Sequence, residues 1–487
     1  MKLYHRIFLL VVIAFGITSC FSDNDDVYAS DGVIKNFIYR GMNTFYLYKP
    51  EIPELANDRF ASVSELEEYH STFPTTNSFF ESLIFDRSST DRFSILVDDY
   101  VELEQLLQGV SATTGMEFGL VAQDGSATDI FGYVRYVLPN TPAENQGVTR
   151  GMIFNQIDGQ QLTRSNFREL LAPNTYTIGL ANLNGGVATY NGTDITLTKQ
   201  GVEENPIFIT NVIDQGPHKI GYLMYNGFTS NFDQELNAAF GDFVAQGITH
   251  LVLDLRYNGG GSVNTAIILG SLISGRPTSD VFSREEWNPD IQQLLETNNP
   301  SQLINNFKDR LNGGTMLNEL GLNKVHIITS GASASASELV IAALDPYMDV
   351  VQVGTTTAGK FQASITLYDS SDYSRNDVNP SHRYAIQPLV LKSVNSVGFT
   401  DYINGIDPDI TLSEDFENLG VLGDVSEPLL ARCLADIQAN GRPAVQAQPL
   451  DYKEISSSKS LTPFANEMYI DHNRLTPKII EILKHSK

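Results

Sequence analysis

The chain reads as a multidomain α/β protein, and three stretches decide it. From Ile207 to Val353, apolar runs of strand length alternate with segments of helical period, the pattern of a sheet covered by helices. Between Tyr100 and Lys199 the pattern changes to short β runs separated by Gly and Asn. Ahead of both, Val33–Phe60 carries Phe37, Tyr39, Phe45, Tyr46 and Tyr48 at helical spacing, so a small helical domain is expected over 33–100. At 487 residues there is room for several such units, and 42% hydrophobic with 18% charged residues suits globular folding.

Taken in order, residues 1–19 form a leader. Lys2, His5 and Arg6 precede the apolar run Ile7–Ile17, which is too short to span a bilayer. Ile17-Thr18-Ser19-Cys20 resembles a bacterial lipobox, which implies lipidation of Cys20. Residues 20–32, with Asp23-Asn24-Asp25-Asp26, would be an acidic tether. The expectation is an exported protein, lipid-anchored in the bacterial cell envelope on the periplasmic or cell-surface face of the outer membrane. Cys20 and Cys433 are the only cysteines, too few for a disulfide framework. A net charge of −26 without a Lys/Arg cluster argues against nucleic-acid partners.

Within 33–100, Ser62 and Asn77 look like helix caps. In 101–199, Pro142-Ala143 opens a short helix, Gly147 ends it, and a strand closes on Asp158-Gly159. Gly201–Pro206 reads as a linker into a core over 200–425. Polar Ser279–Asn312, which contains the single Trp287, reads as a lid or surface insertion. Over 426–487 a helix at Leu429–Ile437 is followed by a loosely attached extension from Ala444.

The chemistry concentrates in Lys324–Lys360. A buried strand, Val325–Thr329, leads through Ser333-Ala334-Ser335-Ala336-Ser337 into a helix, placing a hydroxyl beside unpaired helix N–H groups that favour developing negative charge. One structural unit earlier, Asp254-Leu255-Arg256-Tyr257-Asn258-Gly259-Gly260-Gly261 also joins a strand to a helix and can converge N–H groups on an anion.

These two motifs, in this order and followed by Gly359-Lys360, resemble the C-terminal processing peptidases, or tail-specific proteases. The resemblance covers roughly 100–425. It implies a crotonase-like core with a Ser/Lys dyad and no cofactor, and a PDZ domain, matched by Pro142-Ala143, Gly147-Val148, Gly151-Met152-Ile153 and Ile157-Asp158-Gly159. The PDZ loop by position is Glu117-Phe118-Gly119-Leu120; in the family it holds a peptide's terminal carboxylate while the peptide adds as a strand. The family pattern makes Ser335 the nucleophile and Lys360, 25 residues on, the base. Ala336 and a glycine of the 259–261 run, Gly260 foremost with Gly261 beside it, would form the oxyanion hole. The implied partners are protein or peptide substrates with apolar C-termini.

Acyl transfer of this kind needs a neutral Lys360, about three units below the usual lysine pKa of about 10.4. The family's lysine-orienting Gln, four residues after the Lys, is here Ser364, with a Gln at 362 instead. Even offsets share a strand face, so Gln362 or Ser364 could orient the amine. Competing readings are a Ser-His-Asp hydrolase using His326 or His382, and a non-catalytic peptide-binding lipoprotein on the same scaffold. No His-Glu-x-x-His or similar ligand pair supports a metalloprotease.

Overall fold

The computed structural model describes residues 29–439, 454–461 and 468–470; Cys20 and the leader lie outside the described residues. The chain opens with α1 (Asp31–Phe45), α2 (Val63–Ser71) and α3 (Thr76–Ser82). Ser62 caps α2, accepting the Glu65 N–H. The cap of α3 is Thr75 rather than Asn77, because Thr75 and Ser78 bond each other's amides reciprocally and leave Asn77 inside the first turn. Phe37, Phe45 and Tyr46 are fully buried, in one cluster with Leu223, Leu253 and Ile327 of the central sheet.

After α4 (Tyr100–Leu107) comes an antiparallel sheet. It contains β1 (Met116–Ala122), β2 (Ile130–Val137), β3 (Ile153–Ile157), β4 (Thr175–Asn184) and β5 (Val187–Thr198), with α5 (Phe167–Leu171) between β3 and β4. Alternation along β1 sends Met116, Phe118 and Leu120 into a core with Phe167 and Leu171, and Val121 to the opposite face. The expected linker is partly a strand: Gln200–Glu203 pairs with Val110–Thr113.

The α/β alternation then runs through β6 (Ile207–Gln215), β7 (His218–Tyr225), α6 (Asp233–Gln246), β8 (His250–Asp254), β9 (Gly261–Ser262) and α7 (Val263–Ser274). It continues through β10 (Val281–Trp287), α8 (Pro289–Asn298), β11 (Ile304–Asn306), β12 (Lys324–Thr329), α9 (Ala336–Leu344) and β13 (Asp349–Gly354). The remainder contains β14 (Gln362–Ser364), β15 (Leu389–Val394), β16 (Ile410–Thr411), α10 (Pro428–Ala439), β17 (Glu454–Ser457) and β18 (Met468–Tyr469).

The central sheet has the order β6-β7-β8-β12-β13-β16 and is parallel from β7 onward. Leu251 and Leu253 of β8, with Val325 and Ile327 of β12, face the cluster that holds α7 and α9. Val252 and Ile328 face Leu430, Cys433 and Leu434 of α10. Both faces are therefore covered, which is why these strands read as continuous apolar runs.

A second sheet has the order β9-β18-β14-β15-β10-β11. The stretch expected as a lid, 279–312, is thus built into this sheet, and Trp287 is buried. Its polarity misled because Ser283, Glu285 and Asn305 are buried in mutual hydrogen bonds, Asn305 Nδ2 donating to Glu285 Oε1 at 3.0 Å and to Ser283 Oγ at 3.2 Å. The described part of the tail is not loosely attached either. β17 adds to the edge of β1, and β18 lies between β9 and β14 with Met468 fully buried.

Candidate active site

β8 and β12 are neighbours in register, so the loops at their C-terminal ends meet. Ala334 N–H and Ser337 Oγ both donate to Asn258 O at 3.0 Å, and Ser333 Oγ donates to Leu255 O at 2.7 Å. Two of the three candidate hydroxyls are therefore tied to the neighbouring loop. The third, Ser335 Oγ, is buried and has no hydrogen-bond partner. Ser335 stands at the head of α9 with φ 66° and ψ −114°, a strained conformation for a residue with a side chain. A Cβ on Gly260 would lie 2.5 Å from Ser335 Cβ and 2.8 Å from its Oγ, so the glycine loop closes on the serine only because position 260 is bare. Ala336 follows as the first residue of α9, where the N–H has no intrahelical partner.

Glu338 joins the two halves of the site. Its Oε2 accepts the backbone N–H groups of Ser335 at 2.7 Å and Lys360 at 2.8 Å. Its Oε1 accepts Thr357 Oγ1 at 2.5 Å and Gly359 N–H at 2.7 Å. One oxygen thus holds the amides of Ser335 and Lys360 no farther apart than two hydrogen bonds end to end. Burial pushes the Glu338 carboxyl above its ordinary value, against the pull of these four donors. Glu338 was not anticipated as part of the site. The Ser-x-x-Glu spacing of a capping box was the available signal.

Lys360 is fully buried, with Nζ 4.5 Å from the centroid of the Phe93 ring. Arg92 donates to Gly359 O at 2.8 Å and to Ala358 O at 3.3 Å, fixing the turn before the lysine. Gln362 Nε2 donates to the Tyr48 hydroxyl at 2.8 Å while its Oε1 has no partner; burial raises the Tyr48 phenol to about 12. Ser364 Oγ donates to Met468 O at 3.1 Å. Arg92, Phe93 and Tyr48 were not anticipated, since nothing local marks a residue whose partner lies hundreds of positions away.

Gly260 N–H donates to Asn258 Oδ1 at 2.9 Å within its own loop. One expectation needs correction. Phe118, Gly119 and Leu120 form no loop: they lie inside β1, with Phe118 and Leu120 buried in the core. The edge of that strand is occupied by β17. The histidines are engaged elsewhere, His326 with Asp436 at 2.9 Å and His382 with Asp369 at 3.1 Å.

Beneath the glycine loop lies a buried ion cluster. Arg256 bonds Asp254, Glu427 and Glu414, and Arg150 bonds Glu414 and the Tyr257 hydroxyl. Burial pushes the Glu414 carboxyl up, but Arg150 and Arg256 more than offset this and bring it down to about 2. A cavity of about 470 Å³ runs from Met116–Phe118 and α5 to Gly259–Gly261. Among the described residues, no group of His, Cys, Asp or Glu side chains is placed to hold a metal, and no helix is long and apolar enough to cross a membrane.

Residues 219–412, which contain both loops and Lys360, match the model of peptidase family S41, and 33–95 match the peptidase S41 N-terminal domain. The chain belongs to peptidase family S41. Among its relatives is a CtpA-like serine protease of Staphylococcus epidermidis, 24% identical over 398 residues covering 80% of this chain and 67% of that protein. A chloroplastic C-terminal processing peptidase of Tetradesmus obliquus is 25% identical, covering 67% of this chain and 68% of its own. The crystal structure of an S41 protease from Bacteroides fragilis shares the fold at a TM-score of 0.63, with 23% identity over 83% of this chain and 98% of that one. The S41 chain is thus a serine-type peptidase of the C-terminal processing group. Its S41 N-terminal segment supplies Tyr48, Arg92 and Phe93, so their contacts to Gln362, Gly359 and Lys360 cross from one matched region to the other.

Proposed function

We propose that this peptidase cleaves exported proteins recognised through their C-termini, with Ser335 as nucleophile and Lys360 as its base. The observation that carries the assignment is the convergence on Glu338 Oε2, which brings the backbone of Lys360 to that of the one serine in the motif whose hydroxyl is unpartnered. Lys360, neutral, takes the Ser335 Oγ proton as the oxygen attacks a peptide carbonyl. The ammonium then protonates the leaving amine, and water hydrolyses the acyl-enzyme. Ala336 N–H, at the head of α9, receives the oxyanion. Gly260 N–H joins it by exchanging its bond to Asn258 Oδ1, which makes Asn258 a holder of the resting loop.

We read 101–199 as a PDZ domain and the core as crotonase-like. The support is the strand-addition edge of β1, which already carries one added strand, and the cavity joining it to the glycine loop. Localisation as a lipid-anchored envelope protein rests on the Cys20 motif; Cys20→Ala should release the protein from membranes. The catalytic reading is tested by turnover of an unfolded protein with an apolar C-terminus. Ser335→Ala should abolish cleavage, and equal rates for the two proteins would leave only the non-catalytic peptide-binding scaffold. Amidating the substrate's C-terminal carboxylate should slow cleavage, and unchanged rates would remove the C-terminus from recognition.

A further inference from the structure

The chain's own tail uses both places at which an extended peptide could add. At the β1 edge, β17 pairs antiparallel, with Ser456 opposite Leu120 and Ser457 opposite Gly119. The contact continues through Ser458: its N–H donates to Phe118 O at 2.9 Å, its Oγ accepts Phe118 N–H at 3.0 Å and donates to Glu117 Oε2 at 2.6 Å. Ile455 and Leu461 pack against the core that contains Phe118, Leu120 and Leu171.

At the second place, β18 fills the gap between the glycine loop and the strand that follows Lys360. Met468 pairs with Gly261, and Tyr469 with both Ser262 and Ser364, all in parallel register. Phe228 bonds Gly260 O and Ser262 N–H, so alternation turns Gly261's own N–H and C=O toward β18. Ile470 N–H donates to Ser364 O at 3.1 Å. The tail also walls the cavity between the two places, through Ser458, Lys459, Leu461 and Tyr469.

We infer that residues 454–461 and 468–470 are an intramolecular competitor, which a substrate must displace from both the β1 edge and the slot beside Ser335. This rests on the peptide-binding reading proposed above. Polarity favours a competitor over a substrate. A protein held by its C-terminus would pass the slot first and end at the β1 edge, whereas the tail meets the β1 edge first and the slot afterwards. The occupant also reports what the track accepts: an extended apolar segment, as Met468, Tyr469 and Ile470 are all buried and Met468 and Ile470 join the main core.

A tethered segment acts at an effective concentration in the millimolar range, so for an isolated affinity of about 0.1 mM it weakens a competing peptide on the order of tenfold. The test uses the full chain carrying Ser335→Ala, so that binding is read without turnover. The probe is a fluorescently labelled synthetic peptide of residues 454–470, followed by anisotropy. Adding Ile455→Asp and Ser458→Pro should tighten probe binding by about tenfold or more, and Ser458→Ala should tighten it to a lesser degree. Should the double substitution unfold the protein by circular dichroism, Ser458→Ala carries the test. Equal or weaker binding to the folded loosened variants would overturn the inference. So would a purified parent chain with serine at 335 that is cut between 461 and 468, because the tail would then be a substrate. Failure of the catalytic reading shows separately, as absence of turnover by that parent chain.

Discussion

Replacing Glu338 by Gln should cripple the peptidase more than it unfolds it. The carboxylate accepts four short hydrogen bonds, two on each oxygen. An amide keeps one oxygen and sets an NH₂ against the other pair of donors. If the amide nitrogen faces Ser335 and Lys360, both ties that hold their amides together are lost; if it faces Thr357 and Gly359, the lysine turn is released instead. Hydrogen bonds to a charged group contribute about 1.5–3 kcal/mol each, so losing two costs roughly 3–6 kcal/mol, before the two facing donors are counted. Part of that falls on the fold. If half appears in the barrier, kcat drops on the order of tenfold to a hundredfold. The assay is kcat and KM for a quenched-fluorescence peptide, with the melting temperature measured on the same preparation. Because burial raises the Glu338 carboxyl, acid should mimic the substitution: activity falls as pH drops through its raised pKa, and Glu338→Gln should flatten that limb. A Glu338→Gln protein with kcat within about twofold of the parent would refute the reasoning.

Ser337→Ala removes one buried hydroxyl bond and Ser333→Ala two, to Leu255 O and from Ser330 N–H, so they should cost about 1 and about 2 kcal/mol in urea unfolding while cleavage persists. Gly260→Ala would place a methyl against Ser335 at a φ of 111°, and should abolish activity and lower the melting temperature. Stability should also depend on acid through Glu414. Its carboxyl ionises at about 2 in the fold against an ordinary 4.5, so the ion cluster's contribution is complete above about pH 4.5 and is lost as pH falls through about 2. Urea midpoints measured across that range should fall with pH, and Glu414→Gln should remove part of the slope.

The order of the elements was legible because the central strands are buried on both faces and the helices between them are apolar, signals that survive in local sequence. Ser335 and Lys360 were legible as candidates because each lies in a short motif. Other parts of the site were hidden for physical reasons. Phe93 reaches Lys360, and Arg92 reaches Gly359, only through the tertiary fold. β10 and β11 looked like loop because their buried polar side chains satisfy one another. Phe118-Gly119-Leu120 looked like a turn because a glycine at a close approach reads the same as a glycine at a bend; here a Cβ at Gly119 would run into the Tyr133 ring. The tail was misjudged because β17 and β18 are short and draw their order from strands hundreds of residues away.

The central claim is that Ser335 is the nucleophile and that Lys360 activates it. The most direct measurement is covalent labelling of the full chain with a fluorophosphonate, with the modified residue located by peptide mass spectrometry. The account predicts a single label on Ser335, greatly slowed in Lys360→Ala. Label on Ser333 or Ser337, or labelling of Ser335 at an unchanged rate without Lys360, would contradict it.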